Sequence, residues 1–149
     1  MNIKQLGPKK DSRYNQGSIN PKSCKKLFES TRNEPIIYRS SWEKRFIYWC
    51  ESSPNVEKWG SECISIRYYN PLDEKEHNYY PDFVVKLKTG ETLIIEIKPY
   101  NQTIKPSAEN SWAMKTYIRN VSKWHALESV CKQKGYKFCI LTENTINKL

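Results

Sequence analysis

This chain has no Cys-x-x-Cys pair, and none of its 5 glycines are spaced as Gly-x-x-Gly. The first absence, with an odd count of 5 cysteines (Cys24, Cys50, Cys63, Cys131, Cys139), argues against a zinc knuckle and against a disulfide framework. Reduced, mostly buried thiols are expected instead. The second absence, together with the lack of a Lys-Gly-Phe-type signature, disfavours the common RNA-binding modules. No run approaches the roughly 18 apolar residues of a membrane span, and no short apolar core follows Met1 as in a signal peptide. A soluble intracellular protein without a membrane partner is expected. Acidic residues are also scarce, 16 against 25 basic ones, so the chain carries a net charge of +9. Such an excess points first to a polyanion, nucleic acid above all.

The sequence has enough to fold. Its 149 residues suit one domain, and an apolar fraction of 38% with 13% aromatics is too high for a disordered chain. No internal repeat or low-complexity tract interrupts it. Residues 1–33 differ from the rest, with eight basic residues against two acidic ones, which is six of the nine net positive charges. Gly7, Pro8, Gly17 and Pro21 break this segment and no apolar period is sustained, so it reads as a basic N-terminal arm before a domain at 34–149. Lys9, Lys10, Arg13, Lys22, Lys25 and Lys26 are its candidate phosphate contacts. The competing reading packs the arm on the domain through Leu6, Ile19, Leu27 and Phe28.

Trp42, Phe46, Trp49 and Cys50 recur at helical spacing, and Ser40 with Glu43 forms a capping-box pattern before them. Pro54 stops that helix. Residues 63–69 alternate as a half-buried strand, followed by a polar loop at 70–78. Residues 79–87 and 92–99 form two β-rich runs joined through Gly90, a hairpin signal. After a polar loop at 101–110, Tyr117, Val121, Trp124, Leu127, Val130 and Cys131 mark an amphipathic helix stopped by Gly135. A strand at 136–142 and a short terminal helix end the chain. The expected fold is α/β, a helix-flanked mixed sheet in the order α-β-β-β-α-β.

The chemistry lies in the second run of the hairpin, where Leu93-Ile94-Ile95-Glu96-Ile97-Lys98 sets an acid and a lysine in an apolar strand. Their two-residue spacing turns Glu96 and Lys98 to one face. Asp73-Glu74-Lys75 has the same acid-x-Lys spacing but lies in a polar loop. On the preceding run, Tyr80-Pro81-Asp82-Phe83 supplies a second acid. A turn near Gly90 pairs residues whose numbers sum to about 179, which places Asp82 nearly opposite Glu96. Two carboxylates facing each other repel unless a cation lies between them. Mg²⁺ fits, with Mn²⁺ as a substitute, because it prefers oxygen ligands and binds through one or two carboxylates plus substrate phosphate. The implied reaction is phosphodiester hydrolysis, with Lys98 orienting water and offsetting developing charge. A structural Glu96–Lys98 ion pair is the bland alternative.

Pro81-Asp82, Glu96-Ile97-Lys98 and an upstream Glu43 together resemble the Pro-Asp…(Asp/Glu)-x-Lys nuclease superfamily over about residues 40–142. More narrowly, Ser41-Trp42-Glu43, Tyr80-Pro81-Asp82-Phe83, Glu96-Ile97-Lys98-Pro99 and Gly135-Tyr136-Lys137-Phe138 are similar to the amino-terminal endonuclease domain of the TnsA transposase subunit. Length, basic arm and motif order also resemble the head-completion nucleases of T4-like phages. The resemblance implies a restriction-endonuclease-like core with Asp82 and Glu96 as metal ligands and the Ile97 carbonyl as a further one. It implies Lys98 as the catalytic lysine and Glu43 as an additional acid, in competition with Glu43's capping role. Lys115 and Lys123 are the candidates for the further Gln or Lys that some branches carry. The implied partners are double-stranded DNA and phage portal or head–tail connector proteins, in the host cytoplasm or on the virion, in head completion after packaging and before tail joining. The rival reading is a non-catalytic basic DNA-binding or connector protein.

Three further signals remain. His77, five residues before Asp82, lines the site or lies in an exposed loop. His125 reads as structural. Tyr68, Tyr69, Tyr79 and Tyr80 stack on unpaired bases or pack the core and rim.

Overall fold

The computed structural model describes residues 16–149. Lys9, Lys10 and Arg13 lie outside the described residues. A short strand β1 (Gly17–Ile19) pairs antiparallel with β2 (Ile36–Tyr38) and leads to helix α1 (Ser41–Ser52). Strand β3 (Val56–Ser61) follows, then β4 (Ile66–Asn70), β5 (Lys75–Tyr79), β6 (Phe83–Leu87) and β7 (Thr92–Ile97). The long helix α2 (Trp112–Lys134), strand β8 (Lys137–Leu141) and short helix α3 (Glu143–Ile146) complete the chain.

The main sheet runs β3-β6-β7-β8, antiparallel from β3 to β7, with β8 parallel to β7 through the α2 crossover. β7 is apolar at most positions because both of its faces are covered. Phe83, Val85, Ile95 and Ile97 pack towards Phe46, Ile47 and Cys50 of α1. Val84 and Ile94 face Trp124, Leu127 and Cys131 of α2. Among the described residues no helix is long and apolar enough to cross a membrane.

Local chemistry sets the helix ends. The Ser40 hydroxyl accepts from the Glu43 N–H at 3.1 Å to start α1, and the Ser111 hydroxyl accepts from the Met114 N–H at 3.1 Å to start α2. Gly135 closes α2 at φ 73°, where its own N–H and that of Tyr136 reach the Cys131 carbonyl.

Two strand expectations need correction. Residues 63–69 do not enter the main sheet: the strand there, β4, pairs only with β5 in a separate hairpin packed on α2 through Ile66, Tyr68 and Tyr79. The region 70–78, read as loop, contains β5, whose polar sequence reflects a hairpin with one buried position, Tyr79. The outer strand of the main sheet is β3, which carries no period-2 signal. Its register shifts between Val56 and Lys58, so the bulge at Glu57 breaks the alternation and leaves Val56 and Trp59 buried three apart.

The described part of the basic segment is built into the fold. Leu27 is fully buried, and Lys26 and Phe28 cover the outer edge of β3: the Trp59 N–H donates to the Lys26 carbonyl and the Phe28 N–H to the Trp59 carbonyl. Gly17 meets Tyr38 so closely that an added Cβ would lie 2.2 Å from the phenol oxygen, so any larger residue there would displace the Tyr38 ring.

Candidate active site

The β6–β7 register places Phe83 opposite Ile95 and Val84 opposite Ile94. Extended by one residue, it sets Asp82 across from Glu96 at the end of the sheet, on the face covered by α2. The backbone closes the pair. The Ile97 N–H donates to Asp82 Oδ2 at 2.8 Å, so the acid that opens β6 is tied to the residue after the acid of β7.

Glu96 is 4% exposed. Its Oε2 accepts from the Tyr79 hydroxyl at 2.6 Å and from the Trp124 indole N–H at 3.4 Å. The bonds from Ile97, Tyr79 and Trp124 engage one oxygen of each carboxylate, Asp82 Oδ2 and Glu96 Oε2. Tyr79 and Trp124 thus join the site as holders of Glu96. Burial and the adjacent carboxylate hold the Tyr79 phenol well above its ordinary pKa, so it remains a donor.

Glu43, in the first turn of α1, reaches the same cluster. Its carboxylate does not complete a capping box with the Ser40 N–H; Oε2 accepts instead from the Arg39 N–H at 2.9 Å. Burial raises the Glu43 pKa, with Glu62 and Glu96 adding to the effect and Arg39 opposing it. Asp82 is pushed well above the ordinary carboxylate range by burial, then by Glu96 and Glu43, against the Ile97 N–H and the Lys98 ammonium. Mutual repulsion of this kind is what a bound cation relieves.

Sequence reasoning missed Arg39 and Glu62. The Arg39 guanidinium forms a two-pronged ion pair with the Glu62 carboxylate, whose side chain is 10% exposed. Glu62 has φ 48° and donates its N–H to the Asp82 carbonyl at 3.0 Å. One pair therefore links Glu43, through the backbone of Arg39, to Asp82, through the backbone of Glu62. Neither residue sits in a periodic segment. The available hints were the position of Arg39 next to the cap residue Ser40 and a charge following Gly60-Ser61.

Lys98 follows β7, with its N–H on the Leu141 carbonyl at 3.0 Å, and its charge reaches Asp82. Lys123 of α2 is a second cation at the site. It lies 5.5 Å from the Tyr79 ring and 5.7 Å from the Tyr68 ring, and burial, then the nearby Lys98, lower its pKa. Lys115 is exposed, eight residues and about two turns away.

Other candidates lie elsewhere. Lys22 and Lys25 are exposed, whereas the Lys26 ammonium donates to the Ser53 carbonyl at 2.6 Å and caps α1. His77 pairs with Asp73 at 2.6 Å in the β4–β5 hairpin, and His125 is exposed. Tyr68 and Tyr79 are buried and pack against α2, so neither offers an open ring to a base; Tyr69 is 53% exposed. The five thiols are free, and burial raises their pKa values, Cys63 to about 11, which leaves them protonated and unreactive at neutral pH.

The cluster consists of hard oxygen donors, Asp82, Glu96 and Glu43, which fits a hard divalent cation. Among the described residues no group of three or more His, Cys, Asp or Glu side chains forms a ready-made metal cage. A Mg²⁺ site built on two carboxylates, water and substrate phosphate does not require one.

Comparison with known proteins places the chain in a family. Residues 53–143 match the family described as TnsA-like endonuclease N terminal. The match spans β3 to the start of α3 and includes Glu62, Asp82, Glu96, Lys98 and Lys123, but not Arg39 or Glu43. The chain is also 35% identical over 130 residues to the head completion nuclease of Enterobacteria phage T4, covering 79% of this chain and 87% of that protein.

Proposed function

The chain belongs to the TnsA-like N-terminal endonuclease family, and on that footing we propose that it is a metal-dependent DNA endonuclease acting in phage head completion, after packaging and before tail joining. The observation that carries the reading is the pairing of Asp82 with Glu96 across β6 and β7, locked by the Ile97 N–H. A structural protein gains nothing from two facing carboxylates at a sheet end, one of them, Asp82, with its pKa raised by burial and by its acidic neighbours.

Asp82 and Glu96 would hold Mg²⁺ or Mn²⁺ through their carboxylates, with the Ile97 carbonyl as a third donor and Glu43 as an additional acid beside them. When bound, the ion supplies Lewis-acid polarisation of the scissile phosphate and a water of lowered pKa. Tyr79 and Trp124 hold Glu96 in one orientation, so the carboxylate does not reorganise during reaction. Lys98 orients the attacking water and offsets the negative charge that develops on the phosphoryl oxygens. The water oxygen bonds to phosphorus as one P–O ester bond breaks, giving a phosphate monoester and an alcohol. Lys123, whose proton is loosened by burial beside Lys98, holds a phosphate oxygen of the strand. The net charge of +9 draws the polyanion to the surface. Portal or connector proteins are the proposed protein partners, and the host cytoplasm or virion is the proposed setting, on the strength of the phage relative.

The test is cleavage of supercoiled and linear duplex DNA by the purified protein with Mg²⁺, Mn²⁺ or EDTA. Cutting with either metal and none in EDTA is expected. Tight, salt-sensitive binding without cutting under any condition would favour the connector reading.

A further inference from the structure

The first half of α2 carries two adjacent stripes. Lys115, Arg119 and Lys123 recur every four residues and share one face. Trp112, Thr116 and Asn120 recur at the same interval, about 60° round the helix from the cations. The cation stripe ends at the acid cluster, because Lys123 lies over Tyr79, whose hydroxyl bonds Glu96. From Lys123 the helix axis runs about 4.5 Å to Asn120 and about 16 Å to Trp112.

The second stripe lines a pocket of about 200 Å³, closed on its other side by the loop that follows Lys98 and Pro99; Gln102, Ile104, Pro106, Trp112, Tyr117 and Asn120 form much of its wall. That is smaller than the roughly 300–1,000 Å³ of sites for drug-sized ligands, and it suits one planar ring. Trp112 is 77% exposed and Ile104 50%, an open apolar edge that a soluble domain does not retain for stability. Asn120, by contrast, is 5% exposed, and its Nδ2 is the one buried side-chain nitrogen or oxygen among the described residues without a hydrogen-bond partner. Such a donor lacks an acceptor that the protein itself does not supply.

We propose that this pocket is a subsite for an unpaired base of the DNA strand entering the acid cluster. The strand's phosphates follow Lys115, Arg119 and Lys123, and one ring stacks on Trp112 and Tyr117. A small outward shift of these rings lets a ring carbonyl or ring nitrogen accept from the Asn120 amide. Cations beside aromatic platforms are how proteins hold single strands. The inference rests on the nuclease reading and narrows its substrate to DNA with a single-stranded end or gap, in preference to uninterrupted duplex.

Binding by the full chain is measured in EDTA, so that no strand is cut, using fluorescence anisotropy of a labelled blunt duplex and of the same duplex with a tail of about six nucleotides. The tailed duplex binds about tenfold more tightly than the blunt one, and Trp112→Ala, at an exposed position that leaves packing intact, brings the ratio to about one. Tail-dependent quenching of tryptophan fluorescence, lost in Trp112→Ala, accompanies this. Equal affinities for the two duplexes, or a tail advantage that survives Trp112→Ala, overturns the subsite and leaves the nuclease reading standing. Failure to bind either duplex overturns both.

Discussion

Asp82 and Ile97 are joined by a 2.8 Å hydrogen bond from the Ile97 backbone N–H to Asp82 Oδ2. The bond does for the site what the ladder does for the sheet: it fixes the start of β6 against the end of β7 and holds Asp82 facing Glu96. The donor is backbone and the acceptor is the Asp82 side chain, so the bond survives a change at Glu96 and survives Asp82→Asn, which keeps an acceptor oxygen, but not Asp82→Ala. Effects of substituting Glu96, or of Asp82→Asn, therefore report on the carboxylates themselves.

The electrostatic strain in the cluster gives a pH signature. Asp82 and Glu43 both have raised pKa values, through burial first and neighbouring acids second. In the folded chain each keeps its proton to higher pH than in the unfolded chain. Their stabilising contribution is thus complete below the unfolded carboxylate value, about 4, and is lost as pH rises through the folded value. Asp82→Asn, which keeps an acceptor for the Ile97 N–H but cannot ionise, is expected to match the wild type near pH 4. It should exceed it at pH 8 by at least about 2 °C in melting temperature, the shift that ~1 kcal/mol gives a domain of this size. Thermal melts in EDTA across that range measure it. Added Mg²⁺ at pH 8 raises the wild-type melting temperature and leaves the variant's unchanged.

The Arg39–Glu62 pair positions two acids that it does not itself replace. Arg39→Ala leaves Glu62 without its cation in a partly buried place, at an expected cost of about 1–3 kcal/mol. It also lowers kcat more than it raises KM, since Glu43 and Asp82 lose their frame. Arg39→Lys retains the charge without the fork and falls between. In a double-mutant cycle, Arg39→Ala with Glu62→Ala costs less than the two singles added together. Additive costs would show that the pair does not couple α1 to β6.

Three lysines of the amino-terminal segment separate by role. Lys22→Ala and Lys25→Ala are expected to weaken DNA binding and to reduce its salt dependence by about one counterion each, without a change in melting temperature. Lys26→Ala removes the donor to the Ser53 carbonyl and lowers stability by about 1 kcal/mol, with little change in salt dependence. Salt titrations of binding, set beside thermal melts, distinguish the two behaviours.

Leu27→Ala tests how far that segment belongs to the fold. Full burial of Leu27 against β3 predicts a loss of about 2–5 kcal/mol, measured by urea unfolding of the full chain. A loss below about 0.5 kcal/mol would mean that residues 24–28 detach without consequence.

The parts of the fold legible in the sequence were those where one signal ruled locally. α2 declared itself through its apolar stripe and Gly135, and the β6–β7 hairpin through Gly90 and its flanking apolar runs. That hairpin also placed Asp82 against Glu96 to within one residue, because antiparallel register follows from the turn. β3 was illegible because a bulge at Glu57 breaks its alternation, and β5 because a polar hairpin buries little. Arg39 and Glu62 were illegible for another reason: their partnership joins residues 23 apart across two elements, and no local period records a tertiary ion pair. Tyr79 was visible as an aromatic but not as the hydroxyl that holds Glu96.

The most direct measurement is metal-dependent cleavage of duplex DNA by the wild type and Asp82→Ala under single-turnover conditions with saturating Mg²⁺. Loss of at least about 100-fold in the cleavage rate, with DNA affinity in EDTA retained, is the expected result. An Asp82→Ala protein that cuts at the wild-type rate would contradict the assignment of the Asp82–Glu96 pair as the catalytic centre.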